Sequence, residues 1–206
     1  MTSTKRPHQR RRRPPEEAER EILDAAGALL AERPSHDVTI GAIMAETTLS
    51  RKSFYVYFRD RFDLIRRLVE PLGAERDEIL ARLWRESAEP AAGGRAALLA
   101  LAGLYARHGR LLRALAEASS RDPEARKAWR GFIEPVIEGH ADWIREEIEA
   151  GRVEGIDPEP TARALIGMNL HYFFDQLVDR PRPDLEATAN TLLVIWQRVL
   201  YGPGPG

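Results

Sequence analysis

From Pro15 onward the hydrophobic positions recur at intervals of three and four rather than two. Ile22, Leu23, Ala26, Leu29 and Leu30 form one apolar stripe. The segment opens with Pro15, Glu16, Glu17 and Glu19, where proline suits a first turn and carboxylates complement the positive end of the helix dipole. Pro34-Ser35 ends it. A short second helix runs from a Thr39 cap through Ile40, Ile43 and Met44, and the polar turn Glu46-Thr47-Thr48-Leu49 delivers Ser50 as the cap of a third, ending near Phe58. A fourth begins near Asp60 and carries Phe62, Leu64, Ile65, Leu68, Leu72, Ile79 and Leu83, with Pro71 inside it as a kink. Residues 89–94 stop it. Further helices are expected over 95–107, 111–119, 123–150 (interrupted or bent at Gly131, Pro135 and Gly139), 161–178 and 184–201. No long run alternates with period two and no fixed repeat is present, so the expected fold is all-α with about nine helices.

The pattern divides the chain into a basic arm over 1–15, expected to be disordered, a helix-turn-helix domain over 16–68, a larger helical bundle over 69–202 and a tail over 203–206. Charge follows the division. The net charge is -1, yet residues 1–70 hold 14 Lys/Arg against 11 Asp/Glu, leaving 17 and 21 for the rest. Lys5, Arg6 and Arg10, Arg11, Arg12 and Arg13 precede the first acid, a block that cannot bury itself and either touches a polyanion or stays solvated. Cysteine is absent, which removes disulfides, thiolate-ligated metals and thiol nucleophiles. The longest stretches free of Asp, Glu, Lys and Arg are 11 residues, against the roughly 20 a membrane-spanning helix needs, so the cytoplasm is the expected compartment. The five histidines never pair at helical spacing, and neither a phosphate-cradling glycine loop nor a Gly-x-Ser-x-Gly elbow occurs. No metal, cofactor or enzymatic activity is expected.

On the third helix Phe54 and Phe58 are spaced to face inward, whereas Arg51, Lys52, Ser53, Tyr55 and Tyr57 cannot all hide there. A short helix that offers cations and hydroxyls from its positive end is suited to phosphates and major-groove base edges, although the tyrosines could also pack as half-buried aromatics. Thr39-Ile40, Ile43-Met44, Leu49-Ser50, Phe54-Tyr55-Val56-Tyr57-Phe58, Arg61 and Asp63-Leu64 together resemble the DNA-binding domain of the tetracycline-repressor (TetR) family. The resemblance implies that Arg51, Lys52 and Ser53 read bases while Thr39, Tyr55, Tyr57 and Arg61 hold phosphates. Thr47-Thr48 stands where the family has Ala-Gly, and a threonine is costly at positive φ.

The last two expected helices are apolar around most of their circumference, more than docking on one domain requires. They are either inner helices of a monomer or half of a symmetric homodimer interface that spaces two reading helices for a palindromic operator on double-stranded DNA. Trp129 and Phe132, Met168-Asn169, Phe174, Ile195-Trp196 and Tyr201-Gly202 resemble a narrower group within the family, typified by the repressor of the ethionamide-activating monooxygenase. That resemblance implies an apolar tunnel for a small hydrophobic effector, with Asn169 as its polar anchor and Leu101, Tyr105, Trp129, Phe174 and Trp196 as walls. From chemistry alone, an Asn among such neighbours needs a hydrogen-bond partner, which a ligand carbonyl or an internal group can supply. The expected function is transcriptional repression relieved by a ligand. The other reading is a ligand-binding or scaffolding helical protein without specific DNA binding, to which Thr47-Thr48 points.

Overall fold

The computed structural model describes residues 14–86 and 90–202, with the side chains of 82–93 left aside. The arm up to residue 13 and the tail from residue 203 lie outside the described residues, as does the side chain of Leu83. Among the described residues there are eight α-helices and no strand. They are α1 (Pro15–Glu32), α2 (Ile40–Ala45), α3 (Arg51–Tyr57), α4 (Arg61–Glu86), α5 (Pro90–Ala118), α6 (Pro123–Glu149), α7 (Pro158–Phe173) and α8 (Leu185–Tyr201). A 3-10 turn, Ser35–Asp37, precedes α2, and a π-helical turn, Phe174–Val178, extends α7.

One correction concerns α5. The segments expected as separate helices over 95–107 and 111–119 are a single helix running through His108-Gly109. Glycine there does not break the helix but lets another element approach it. A Cβ on Gly109 would lie 2.3 Å from Cγ2 of Val178, so the missing side chain is the space the π-helical turn occupies. Phe174 and Asp179 complete that seam, with the Arg113 guanidinium 4.9 Å above the Phe174 ring and its Nη2 donating to Asp179 Oδ2 at 3.0 Å. Likewise α4 and α6 continue through Pro71 and Pro135.

The main core joins α1 through α5 with the first half of α6, the end of α7 and the first half of α8, and it includes Ile22, Leu30, Ile43, Phe54, Phe58, Leu64, Leu104, Leu112 and Leu192. A smaller core of Ile137, Ile144, Leu165, Ile166, Trp196 and Leu200 ties α6 to α7 and α8. The head formed by α1 to α3 also meets the bundle through polar ties. Ser35 Oγ donates to Glu117 Oε2 at 2.5 Å, and Arg59 Nη2 reaches Asp122 Oδ2 at 3.5 Å. Asp122 Oδ1 in turn accepts from Ala125 N at 2.7 Å, capping α6.

Glu147 closes the far end. It is 2% exposed and accepts from Arg152 Nε at 2.8 Å, from Arg152 Nη2 at 2.6 Å and from the Tyr201 hydroxyl at 3.0 Å. One carboxylate thus holds the α6–α7 loop and the end of α8. The Arg152 hydrogen bonds hold the Glu147 carboxyl below its ordinary value, against the opposing effect of burial.

Two outcomes follow for stability. In Gly109→Ala, displacement of Val178 costs about 1–3 kcal/mol against about 1 kcal/mol gained in helix propensity, so urea unfolding should give a net loss. Because the Glu147 carboxyl titrates lower in the folded chain than in the unfolded one, its contribution is complete above about pH 4.5 and is lost as pH falls through the depressed folded value. Glu147→Gln should therefore be less stable near neutrality, by about 1–2 kcal/mol, and should show a shallower acid limb in urea midpoints measured from pH 7 to pH 3.

Candidate nucleic-acid interface and ligand core

The head presents α3 on its surface by burying two residues. Phe54 is fully buried and Phe58 is 1% exposed, whereas Tyr55 and Val56 are 58% and 75% exposed. Arg51 and Lys52, in the first turn, are exposed and make no ion pair among the described residues, and Ser53 and Tyr57 are half-buried. The expected reading residues therefore share an outward surface. Thr39 caps α2, accepting from Ala42 N at 3.1 Å and keeping its own hydroxyl hydrogen to donate. Arg61 is placed differently from the others. Its Nη1 donates to the carbonyls of Ser35 at 2.6 Å and Val38 at 3.2 Å, bracing the loop ahead of α2.

The α2–α3 turn forms without a left-handed residue: among the described residues only glycines have positive φ. Threonine side chains take over the work. Thr47 Oγ1 donates to Met44 O at 2.9 Å and accepts from Leu49 N at 3.3 Å, while the backbone N–H and hydroxyl of Thr48 donate to Glu21 Oε1 of α1 at 2.5 and 2.8 Å. The departure from Ala-Gly thus leaves the turn intact. Ser50 stands at the cap position of α3 but does not bond a backbone N–H, and its hydroxyl lies 3.0 Å from that of Ser53.

The expected tunnel residues fall into two groups. Leu101 and Tyr105 belong to the main core, with Trp129 and Phe174 packed against it, and Tyr105 lies 4.9 Å from the Phe173 ring and 5.6 Å from that of Phe174. Trp196 belongs to the smaller core, where the rings of His140 and Trp143 lie 5.2 and 6.4 Å away. Ile133, Met168 and Leu170 pack against both cores and mark the seam between the groups. Asn169 is 5% exposed, and its Oδ1 accepts from Trp196 Nε1 at 3.0 Å. The amide oxygen therefore has an internal partner, and the donor NH2 is the part of Asn169 still open to a ligand.

Several groups were not singled out in the sequence. Arg76 is 4% exposed, stacks 4.5 Å from the Phe132 ring, donates to the Phe132 carbonyl through Nη1, and binds Asp77 Oδ1 through Nε at 2.9 Å and Nη2 at 2.6 Å. Burial pushes the Tyr105 hydroxyl up, against the pull of the Arg76 charge. Burial pushes His140 down, and its Nδ1 lies 2.7 Å from the Val136 carbonyl. A cleft of about 470 Å³ separates α4 from α6, floored by Val69, Leu115, Ala128 and Phe132 and rimmed by charged side chains. Among the described residues no group of three His, Asp or Glu could hold a metal ion, and no helix is long and apolar enough to cross a membrane.

This is the architecture of a transcriptional regulator, a helix-turn-helix head carried on a helical body. Residues 22–68 match the family model of bacterial regulatory proteins of the tetR family, and residues 94–202 match that of the C-terminal domain of the transcriptional regulator EthR. The chain belongs to the TetR family of transcriptional regulators, with a DNA-binding N-terminal domain and an EthR-type C-terminal domain. It is 27% identical over 209 residues to the HTH-type transcriptional regulator EthR of Mycolicibacterium smegmatis, covering 99% of this chain and 96% of that one. Its fold is similar to a TetR-family transcriptional regulator from Agrobacterium tumefaciens, with a TM-score of 0.71 at 18% identity over 91% of this chain and 100% of the other. A TetR-like transcriptional regulator from Rhodococcus sp. RHA1 is also similar, with a TM-score of 0.69 at 22% identity over 91% and 97%.

The Asn169–Trp196 bond has a testable consequence. Asn169→Leu strands a buried indole N–H and should cost about 1–3 kcal/mol in urea unfolding without ligand. Adding Trp196→Phe should then cost less than it does in the native background, a coupling that a double-mutant cycle measures.

Proposed function

We propose that this chain is a homodimeric repressor that reads a palindromic operator and is released from it by a small hydrophobic effector. The observation that carries the reading is the outward surface of α3, where the exposed and unpaired Arg51 and Lys52 precede an exposed Tyr55 on a helix anchored by Phe54. Arg51, Lys52 and Ser53 contact base edges, and Thr39, Tyr55 and Tyr57 contact phosphates. Arg61 keeps Nη1 on the loop it braces and offers its remaining donors to the backbone of the operator.

The outer surface of α8 supports the dimer. Val194 and Tyr201 are 47% and 43% exposed, on a helix whose opposite side already fills the core with Leu192, Trp196 and Leu200. Beside them α7 exposes Ala164 and Gly167, small enough for a second helix pair to lie close. The effector occupies the interior between the two cores, where Leu101, Tyr105, Trp129, Phe174 and Trp196 supply apolar walls and the Asn169 NH2 meets a ligand acceptor. Its entry favours a spacing of the two heads that no longer fits successive major grooves, as required of a ligand with differential affinity for two states. The protein then acts in the cytoplasm on DNA near the genes it controls.

The test is fluorescence anisotropy over a salt series with duplexes flanking the protein's own coding region and scrambled controls, with stoichiometry from sedimentation. Two chains per specific duplex are expected. Arg51→Ala should weaken specific binding by about 1–3 kcal/mol and relax base preference, whereas Arg61→Ala should weaken every duplex alike. An equal loss on all sequences from Arg51→Ala would refute base reading.

A further inference from the structure

Two carboxylates on α1, two residues apart, hold opposite ends of the reading helix. Glu21 Oε1 accepts from both the N–H and the hydroxyl of Thr48, at 2.5 and 2.8 Å, two residues ahead of Ser50 at the start of α3. At the other end Glu19 pairs with Arg67 Nη1, and Arg67 Nη2 donates to the carbonyl of Tyr57, the last residue of α3, at 3.0 Å. The Arg67 guanidinium also lies 5.0 Å from the Phe58 ring. α1 thus grips α3 from before its first turn and from its last carbonyl.

The placement runs against the simplest electrostatics of the head. Each carboxylate on a DNA-facing domain repels phosphates and weakens the non-specific attraction that draws such a domain to a duplex. We propose that Glu21, and Glu19 acting through Arg67, are positioning residues for sequence discrimination: they set the height and tilt of α3 so that Arg51, Lys52 and Ser53 meet base edges. The role rests on the operator-reading function above. It also accounts for Thr48, which replaces a residue free to adopt positive φ. The backbone there keeps negative φ, and a carboxylate from α1 supplies the restraint.

The inference predicts opposite effects on two affinities. Glu21→Ala removes a negative charge, so binding to a scrambled duplex should hold or tighten. It also removes an ionised acceptor of two hydrogen bonds, so binding to a specific duplex should fall about ten- to a hundredfold. The specific probe is a duplex enriched by the native protein from a random library, compared with a scrambled duplex at one salt concentration. Glu21→Gln keeps an acceptor and should retain most of the discrimination. Thermal midpoints of each variant are recorded alongside, and Thr48→Val tests the same clamp by deleting only the hydroxyl donor, should Glu21→Ala fold poorly.

An unchanged specific-to-scrambled ratio in Glu21→Ala, with the native protein enriching a sequence, overturns the positioning role and leaves the regulator reading standing. A parallel fall of both affinities with the folded fraction likewise overturns it, since that is the mark of a stability role only. Failure of the native protein to enrich any sequence overturns the regulator reading and the positioning role together.

Discussion

A helix of seven residues cannot hold itself in place, and the head of this protein is organised around that constraint. Helices shorter than about 12 residues are marginal in water, so α3 owes its existence to what it packs against. Phe54 and Phe58 supply the apolar part, buried at i and i+4 with rings 5.4 Å apart. Two aromatic anchors on one side leave rotation about that side poorly determined, and the polar ties at the two ends remove that freedom. The same burial turns Arg51, Lys52, Tyr55 and Val56 outward, so anchoring and presentation are one event.

The body meets a different constraint, that of enclosing polar groups in a bundle with apolar helices. Arg76, Glu147, Asn169 and Thr188 are its buried polar residues among those described, and each has internal partners. Asn169 shows what this means for a ligand. With its carbonyl held by Trp196, the amide can add a donor to an incoming group without losing the bond it has. In the proposed effector site this buried polar pair would be a preset anchor, since the bond to Trp196 fixes the orientation of the NH2 before anything enters. Arg76 joins α4 to the carbonyl of Phe132 on α6 and so pins the two helices below the cleft that separates them.

What the sequence reveals and what it hides divide along sequence separation. The helix periods, the Thr39 cap and the inward spacing of Phe54 and Phe58 depend on residues three or four apart, and all are legible in the chain. The division of α5 at Gly109 is not, because the same glycine can end a helix or admit a neighbour, and Val178 lies 69 positions away. Likewise, nothing local pairs Thr48 with Glu21, Asn169 with Trp196 or Arg76 with Phe132, which stand 27, 27 and 56 residues apart. The costly positive φ expected of Thr48 assumed that backbone conformation alone shapes the turn. Side-chain bonds shape it instead. The expected tunnel walls rest on resemblance, and only the folded chain shows Trp196 in a core separate from Tyr105.

Body and head are joined by the packing of α1 on α5, by polar ties and by α4. The pair of exposed Arg59 with half-buried Asp122 and the bond from Ser35 to exposed Glu117 lie near the surface, where such contacts are weak. They bias the angle of the head without locking it. By contrast α4 is buried along much of its length, with Leu64, Ile65, Val69 and Leu72 in the core that head and body share and Arg76 against Phe132 of α6. Burying a leucine or isoleucine side chain is worth roughly 1.5–3 kcal/mol, so the packing of α4 is a stronger tie than the polar contacts. In the proposed regulator a ligand that displaced α4 within the body would move the head with it, because sliding the helix would empty the buried sites of Leu64 and Ile65.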